Sequence, residues 1–350
     1  MTAVPRPDLL IGCYTAETGG TGTGVTVRAA GDPSPAGECR LASPSWLTAH
    51  PWLPVVYAAS ETTDGSVTAL GVDDGALSVL GSRETGGGDP CHLAISADGR
   101  FLMAANYSGG SVAVFGVEPS GAIGLRTDLV PHRGSGPVID RQQTAHPHMV
   151  VFDGPRVIVV VDLGADALYG YRIEDDGRLS VLSRTDLPPG TGPRQLVPAG
   201  DRWLLAAELS AELLTLTGSA LEGFSVTDAV AASDRPGPTF PAQLTVTPDG
   251  SRALLSNRGP DTVAVFDLTG SAPRLIAETD VGPGWPRHFC LVGDEVLVAL
   301  QEGNRVRRFE LDVTTGRLLD RGGWATGSPT CLLPLTGPPQ PTGPPGGSTD

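Results

Sequence analysis

The chain has 350 residues, a mass of 36.0 kDa and a formal charge of −15, from 24 basic against 39 acidic residues. A field of that sign excludes nucleic acid as a partner at the level of the whole chain. Every basic residue is Arg, which excludes Schiff-base and pyridoxal-phosphate lysines and the P-loop lysine; any anion must be held by Arg, His, hydroxyls or backbone N–H groups.

Gly (47) and Pro (32) are abundant enough to favour short strands and tight turns over long helices. The five cysteines, at 13, 39, 91, 290 and 331, are odd in number and include no C-x-x-C pair. Neither a disulfide framework nor a zinc site is expected, and Cys13, Cys91, Cys290 and Cys331 read as small buried hydrophobes. Residues 1–7 are expected to be flexible and carry no secretory pattern, and no stretch reaches about 18 apolar residues. The expectation is a cytoplasmic protein with no membrane partner, a monomer or weak homo-oligomer.

In chain order, three strands come first: LLIGCYT (9–15), GVTVRAA (24–30) and ECRLA (38–42). From Pro44 a frame begins with PSWLTAH and continues through VVYAASE, SVTALGV and LSVLGSR, four alternating segments rich in Val. The frame returns as PCHLAIS, HPHMVVF, PRQLVPA, PAQLTVT, PRHFCLV and PTCLLPL, with anchors at 44, 90, 146, 193, 241, 286 and 329. Asp98 to Phe115 aligns with Asp249 to Phe266 without a gap. A period of about 45 residues with four short strands each predicts β-propeller blades. The last anchor lacks companion strands and the first three strands lack an anchor, so both termini are predicted to close a seventh blade. The predicted class is an all-β, seven-bladed propeller spanning 8–335, with blades 44–89, 90–140, 146–192, 193–240, 241–285, 286–328 and 329–335 plus 8–43. The tail 336–350 reads as a disordered Pro/Gly-rich segment.

The starts of the first strands and the ends of the second strands lie at one end of such a propeller. One predicted ring holds Trp46, His92, His148, Gln195, Gln243, His288 and Cys331, beside Arg194 and Arg287 one place earlier; the other holds Glu61, Asn106, Asp162, Glu208, Asn257 and Gln301, with Tyr14, Tyr107 and Arg258 adjacent. Four of the six histidines, including His146, fall on this rim, and convergent acids, bases and cations at a channel mouth mark a candidate active site. Some of these have bland readings: His92 and His288 as structural histidines, Asn106, Asn257 and Asp162 as caps, and Arg194 with Glu208 as a structural ion pair. The longest spacing, before the third blade, contains VPHRGSGPVIDRQQTAHPH (130–148), a loop able to bring Arg141 and Gln142 to the mouth. His146-Pro147-His148 would need Glu208 or Asp162 to complete a metal site, and the expectation is no metal and no cofactor. GGTGTG (19–24) opens no helix and reads as a blade loop.

The runs PSWLTAHPWLPVVYAASE, PCHLAISADGRFLMAANYSGGSVAVF, RQQTAHPHMV, GPRQL, LAAELS, SNRGPDTVAVF and WPRHF resemble the lactonase family of seven-bladed propellers, over about residues 8–335. That family includes propeller-type 6-phosphogluconolactonases and carboxy-muconate cyclases. The resemblance implies a site of one His, one Glu and two Arg, matched here by His148, Glu208, Arg194 and Arg258. Two positions depart from it: Cys13 where Thr is expected, and Ala242 where other anchors carry charge. The implied activity is opening of a sugar lactone, with 6-phospho-glucono-δ-lactone first. His148, or Glu208 through His148, would be the base, and Arg194 and Arg258 would stabilise the oxyanion. Arg287, His288 and Arg141 would hold a distal anion, with His92, Asn106, His146, Asn257 and Gln301 as further substrate-binding residues. The alternatives are a carboxy-cis,cis-muconate cyclase and a non-catalytic binding propeller.

Overall fold

The computed structural model describes residues 8–29 and 34–335; the predicted flexible N-terminus and disordered tail lie outside them. Within these residues, 28 strands form seven four-stranded antiparallel sheets. Six sheets are consecutive in sequence. The seventh joins Pro329–Leu335 to Asp8–Cys13, Gly24–Arg28 and Pro35–Arg40, so both termini close the ring as predicted. The innermost strand of each sheet lies against the innermost strands of both neighbours, which closes a central funnel.

The strand gradient follows from composition. Second strands such as Val55–Ser60 (VVYAAS) and Phe101–Asn106 (FLMAAN) are buried at every position, while the outermost strand of the first blade, Ala76–Glu84, is mostly exposed. Alternate Val, Ala and Leu side chains pack outward from each sheet face, and the apolar core divides into seven clusters, one at each seam between neighbouring blades. Phe115 and Phe266, the ends of the two aligned segments, are both fully buried in such seams. The tight turn repeats too. Ser96 Oγ donates to Asp98 and Thr247 Oγ1 to Asp249, both at 2.6 Å, and Gly99 and Gly250 take the left-handed conformation (φ 62° and 71°).

Register carries the decisive detail. In the first blade Pro44 faces Ser60 and Trp46 faces Ala59, which leaves Ser45 without an opposite partner. The same bulge recurs between Pro90 and His92, Pro193 and Gln195, Pro286 and His288, and Pro329 and Cys331. In the fifth blade the one-residue shift falls between Pro241 and Leu244, where Ala242 and Gln243 stand opposite Ser256 alone. In the third blade it lies between Pro147 and Met149, so the anchor there is Pro147, one residue later than the sequence frame placed it. The buried equivalent of Leu47 is accordingly Val150, which is 1% exposed, and Met149 is only half-buried. A bulge twists its strand and re-aims the extra side chain. Here it does so at the same end of all seven blades.

Candidate active site

Two rings of side chains meet at the mouth of the funnel. The bulge residues form the lower ring: Ser45, Cys91, His148, Arg194, Ala242, Arg287 and Thr330. The residue one place beyond the second-strand partner of each anchor forms the upper: Tyr14, Glu61, Tyr107, Glu208, Arg258 and Gln301, with the apolar Leu163 in the third blade.

Glu208 is the hub. Its side chain is fully buried, and three guanidiniums close on it: Arg141 at 2.6 Å, Arg194 at 2.7 Å and Arg258 at 2.8 Å. Burial alone would raise its carboxyl, but Arg258, Arg194 and Arg141 together hold it well below the usual carboxylate range. Arg258 is further fixed by the Phe240 carbonyl at 3.1 Å and lies over the Trp285 ring at 5.3 Å. Arg141 comes from the long loop preceding the third blade. Gln142 fastens that loop, donating to the Leu163 carbonyl at 2.9 Å and accepting from Val138 N–H at 3.2 Å.

His148 lies beside this cluster. Burial and the Arg194 charge push its imidazole well below the ordinary histidine range, so it is neutral near pH 7. Its Nδ1 is buried with no hydrogen-bond partner among the described residues. Tyr107 stands edge-on to it at 5.8 Å and stacks flat on His146 at 4.4 Å. His146 is tied by Nδ1 to the Tyr107 carbonyl at 2.8 Å, which gives it a supporting position behind Tyr107.

A second group stands apart from the first. Tyr14 donates to Glu61 at 2.6 Å, Arg287 binds the other Glu61 oxygen at 3.0 Å, and the Arg287 guanidinium covers the Tyr14 ring at 4.9 Å. Arg287 is thereby matched by one carboxylate, whereas three cations share Glu208.

Several rim expectations meet a different geometry. His92 and His288 lie one residue past the bulge and face the neighbouring inner strand. The Nδ1 of each accepts a backbone N–H, from Val150 at 3.4 Å and from Leu332 at 3.2 Å. Gln195 does the same for Leu244, and Met149 sulfur for Leu196. This column ties blade to blade, with Trp46 packed on His92 at 4.2 Å and on His288 at 5.4 Å, and burial drives both histidines down to about 3. Asn106, Asp162 and Asn257 belong to the column one residue before the upper ring. Asn106 donates to Ser111 Oγ, and Asn257 donates to the Ala232 carbonyl. Each amide Oδ1 stays buried without a partner. Asp162 pairs with His132 at 2.8 Å, a fully buried pair that the sequence frame did not single out, because His132 lies in the long loop and outside every repeat column. Arg141, Arg194 and Arg258 do converge on Glu208 beside His148, while Arg287 pairs with Glu61 and Gln301 takes its place in the upper ring.

Buried polar atoms left without partners also gather on the two rings: Ser45 Oγ, His148 Nδ1, Arg194 Nε, Gln301 Oε1 and Thr330 Oγ1. Native interiors satisfy such atoms, so a cluster of them at a channel mouth points to a bound molecule or water. Among the described residues no three His, Cys, Asp or Glu side chains converge as a metal site.

The sequence matches the family described as Lactonase, 7-bladed beta-propeller, over residues 8–334. The chain belongs to this lactonase family. A 6-phosphogluconolactonase of Bacillus subtilis is 31% identical over 293 residues, covering 80% of this chain and 83% of that protein. A putative 6-phosphogluconolactonase of Bacteroides fragilis superposes with a TM-score of 0.88 at 27% identity, over 96% of this chain and 99% of that one. A periplasmic gluconolactonase of Pseudomonas aeruginosa superposes with a TM-score of 0.87 at 28% identity, over 95% and 99%. As a member of the lactonase family the chain is a lactone-opening enzyme, and its ligand is a small molecule. No helix of the described residues is long and apolar enough to cross a membrane.

Proposed function

We propose that this lactonase hydrolyses 6-phospho-glucono-δ-lactone by direct water attack, with His148 as base and the Glu208 cluster as the anion-binding wall. The observation that carries the reading is the charge of that cluster. Three guanidiniums meet one carboxylate, a local surplus of two positive charges on a chain of net charge −15. A phosphorylated lactone brings negative charge to that surplus at two points, the developing oxyanion at Arg194 and Arg258 and the phosphate at Arg141.

In the proposed sequence, neutral His148 takes a proton as water attacks the lactone carbonyl carbon. Negative charge then develops on the carbonyl oxygen, where the unpartnered Arg194 Nε–H and the adjacent Arg258 stabilise it. The ring C–O bond breaks, and the departing alkoxide takes the proton back from the imidazolium. Glu208 is not the base in this reading, because three cations keep it ionised and weakly basic; it holds Arg194 and Arg258 in place. Arg141, whose side chain is 36% exposed at the mouth, reaches the distal phosphate. Arg287 is already matched by Glu61, which leaves Arg141 as the more available cation for that role. A cytoplasmic location completes the reading, and five unpaired cysteines suit a reducing compartment.

The test compares 6-phospho-glucono-δ-lactone with glucono-δ-lactone, with and without EDTA. The expected result is EDTA-insensitive hydrolysis with kcat/KM at least about tenfold higher for the phosphorylated lactone. Activity abolished by EDTA, equal use of both lactones, or hydrolysis of neither contradicts the proposal.

A further inference from the structure

The rim is electrically divided. The half built by the second to fifth blades carries the charge surplus at Glu208. The half built by the sixth, seventh and first blades holds Glu61 with Arg287, one carboxylate against one guanidinium, and is neutral. Both members are partly open to the funnel, with side chains 16% and 14% exposed. The unpartnered buried atoms of the two rings themselves divide in the same way, although Asn106 Oδ1 and Asn257 Oδ1, one residue before the upper ring, are oxygens on the charged side. Within the rings, those on the charged side are imidazole and guanidinium nitrogens of His148 and Arg194. Those on the neutral side are oxygens of Ser45, Gln301 and Thr330.

A neutral ion pair with spare lone pairs and N–H groups, flanked by an aromatic ring and by amide and hydroxyl oxygens, suits uncharged hydroxyls. Each sugar hydroxyl both donates and accepts, so it completes a carboxylate oxygen and a guanidinium N–H together. It would also satisfy an acceptor such as Gln301 Oε1, which otherwise stays buried and unpaired. Tyr14 adds rigidity: its O–H holds one Glu61 oxygen and its ring carries Arg287, so both planar groups are fixed before a ligand arrives.

We propose that Glu61, Arg287 and Gln301, braced by Tyr14, form a polyol subsite that reads the hydroxyl groups of the lactone ring and sets the selection of sugar lactones over unhydroxylated ones. The inference rests on the lactone-hydrolase reading above and specifies which part of the site grips which part of the substrate. A site built to hydrogen-bond hydroxyls discriminates strongly against an analogue lacking them, because its own buried groups are then left unpaired.

The experiment measures kcat/KM for glucono-δ-lactone and for δ-valerolactone, the same ring without hydroxyls, in wild type, Glu61→Gln and Gln301→Met. The expected result is a wild-type preference for gluconolactone of about a hundredfold or more, reduced about tenfold in Glu61→Gln and by a smaller factor in Gln301→Met. Gln301→Met preserves side-chain length and leaves the ion pair intact, so it remains informative if Glu61→Gln folds poorly. Equal use of the two lactones by wild type, or a parallel fall in both rates with an unchanged ratio in the variants, overturns this inference while leaving the hydrolase reading in place. Absence of hydrolysis with every lactone, phosphorylated ones included, overturns both.

Discussion

Replacing Glu208 by Gln lowers the melting temperature by about 5 °C and removes at least about 99% of the lactonase activity. The variant is isosteric, so the loss is one of charge. Arg141, Arg194 and Arg258 would then face one another without a counter-ion, two of them nearly inaccessible to water. Removing one partner of a buried ion pair costs about 3–5 kcal/mol, largely because the remaining charge is stranded. The pH dependence has a definite sign. The Glu208 carboxyl is held below its unfolded value, so its contribution is present above the ordinary carboxylate range and is lost as pH falls through the depressed folded value. Wild type should therefore lose stability toward acid more steeply than Glu208→Gln, in thermal melts recorded across that range. Equal melting curves for the two proteins at neutral pH would show that the Arg cluster does not depend on Glu208.

His148→Gln should lower kcat by about 10²- to 10⁴-fold with little change in KM, because a general base contributes in the transition state and not in substrate binding. The wild-type pH–rate profile supplies a second readout. With its imidazole pushed down by burial and Arg194, the basic form persists well below pH 6.5, so kcat/KM for the uncharged glucono-δ-lactone, which has no phosphate to titrate, should stay level through that pH and fall only at more acidic values. A limb centred near 6.5 would place His148 in ordinary solvent or assign the base elsewhere. A His148→Gln variant with full kcat would remove His148 from the mechanism.

The architecture was legible in the sequence because a propeller repeats its hydrophobic period seven times. Each seam needs the same small and branched residues, so the frame survives loop-length changes, and the unpaired strands at the two ends fix the closure. The site was legible only in outline. A one-residue bulge leaves no compositional trace, yet it decides which of two successive side chains enters the funnel, because the strand period is two. Arg194 and Gln195 therefore serve different functions, as do Arg287 and His288. The same shift hid the third blade's true frame: the loop before it ends in His146-Pro147-His148, and reading His146 as the anchor placed His148 in the column of His92 and His288. Asn106 and Asn257 were joined to Glu208 and Gln301 for a related reason, since repeat arithmetic marks where a second strand ends but not the side to which its last residue turns. Repeat arithmetic put Glu61, Tyr14 and Arg287 on the rim but not in contact, because they come from three blades and meet only when the ring is closed.

A crystal structure with the product 6-phosphogluconate bound tests the central claim most directly. The account predicts the new carboxylate within hydrogen-bond reach of Arg194 Nε and His148, the phosphate on Arg141, and the chain of hydroxyls along Glu61 and Arg287. Product bound at the opposite mouth of the funnel, or with its carboxylate away from Arg194 and His148, would contradict it.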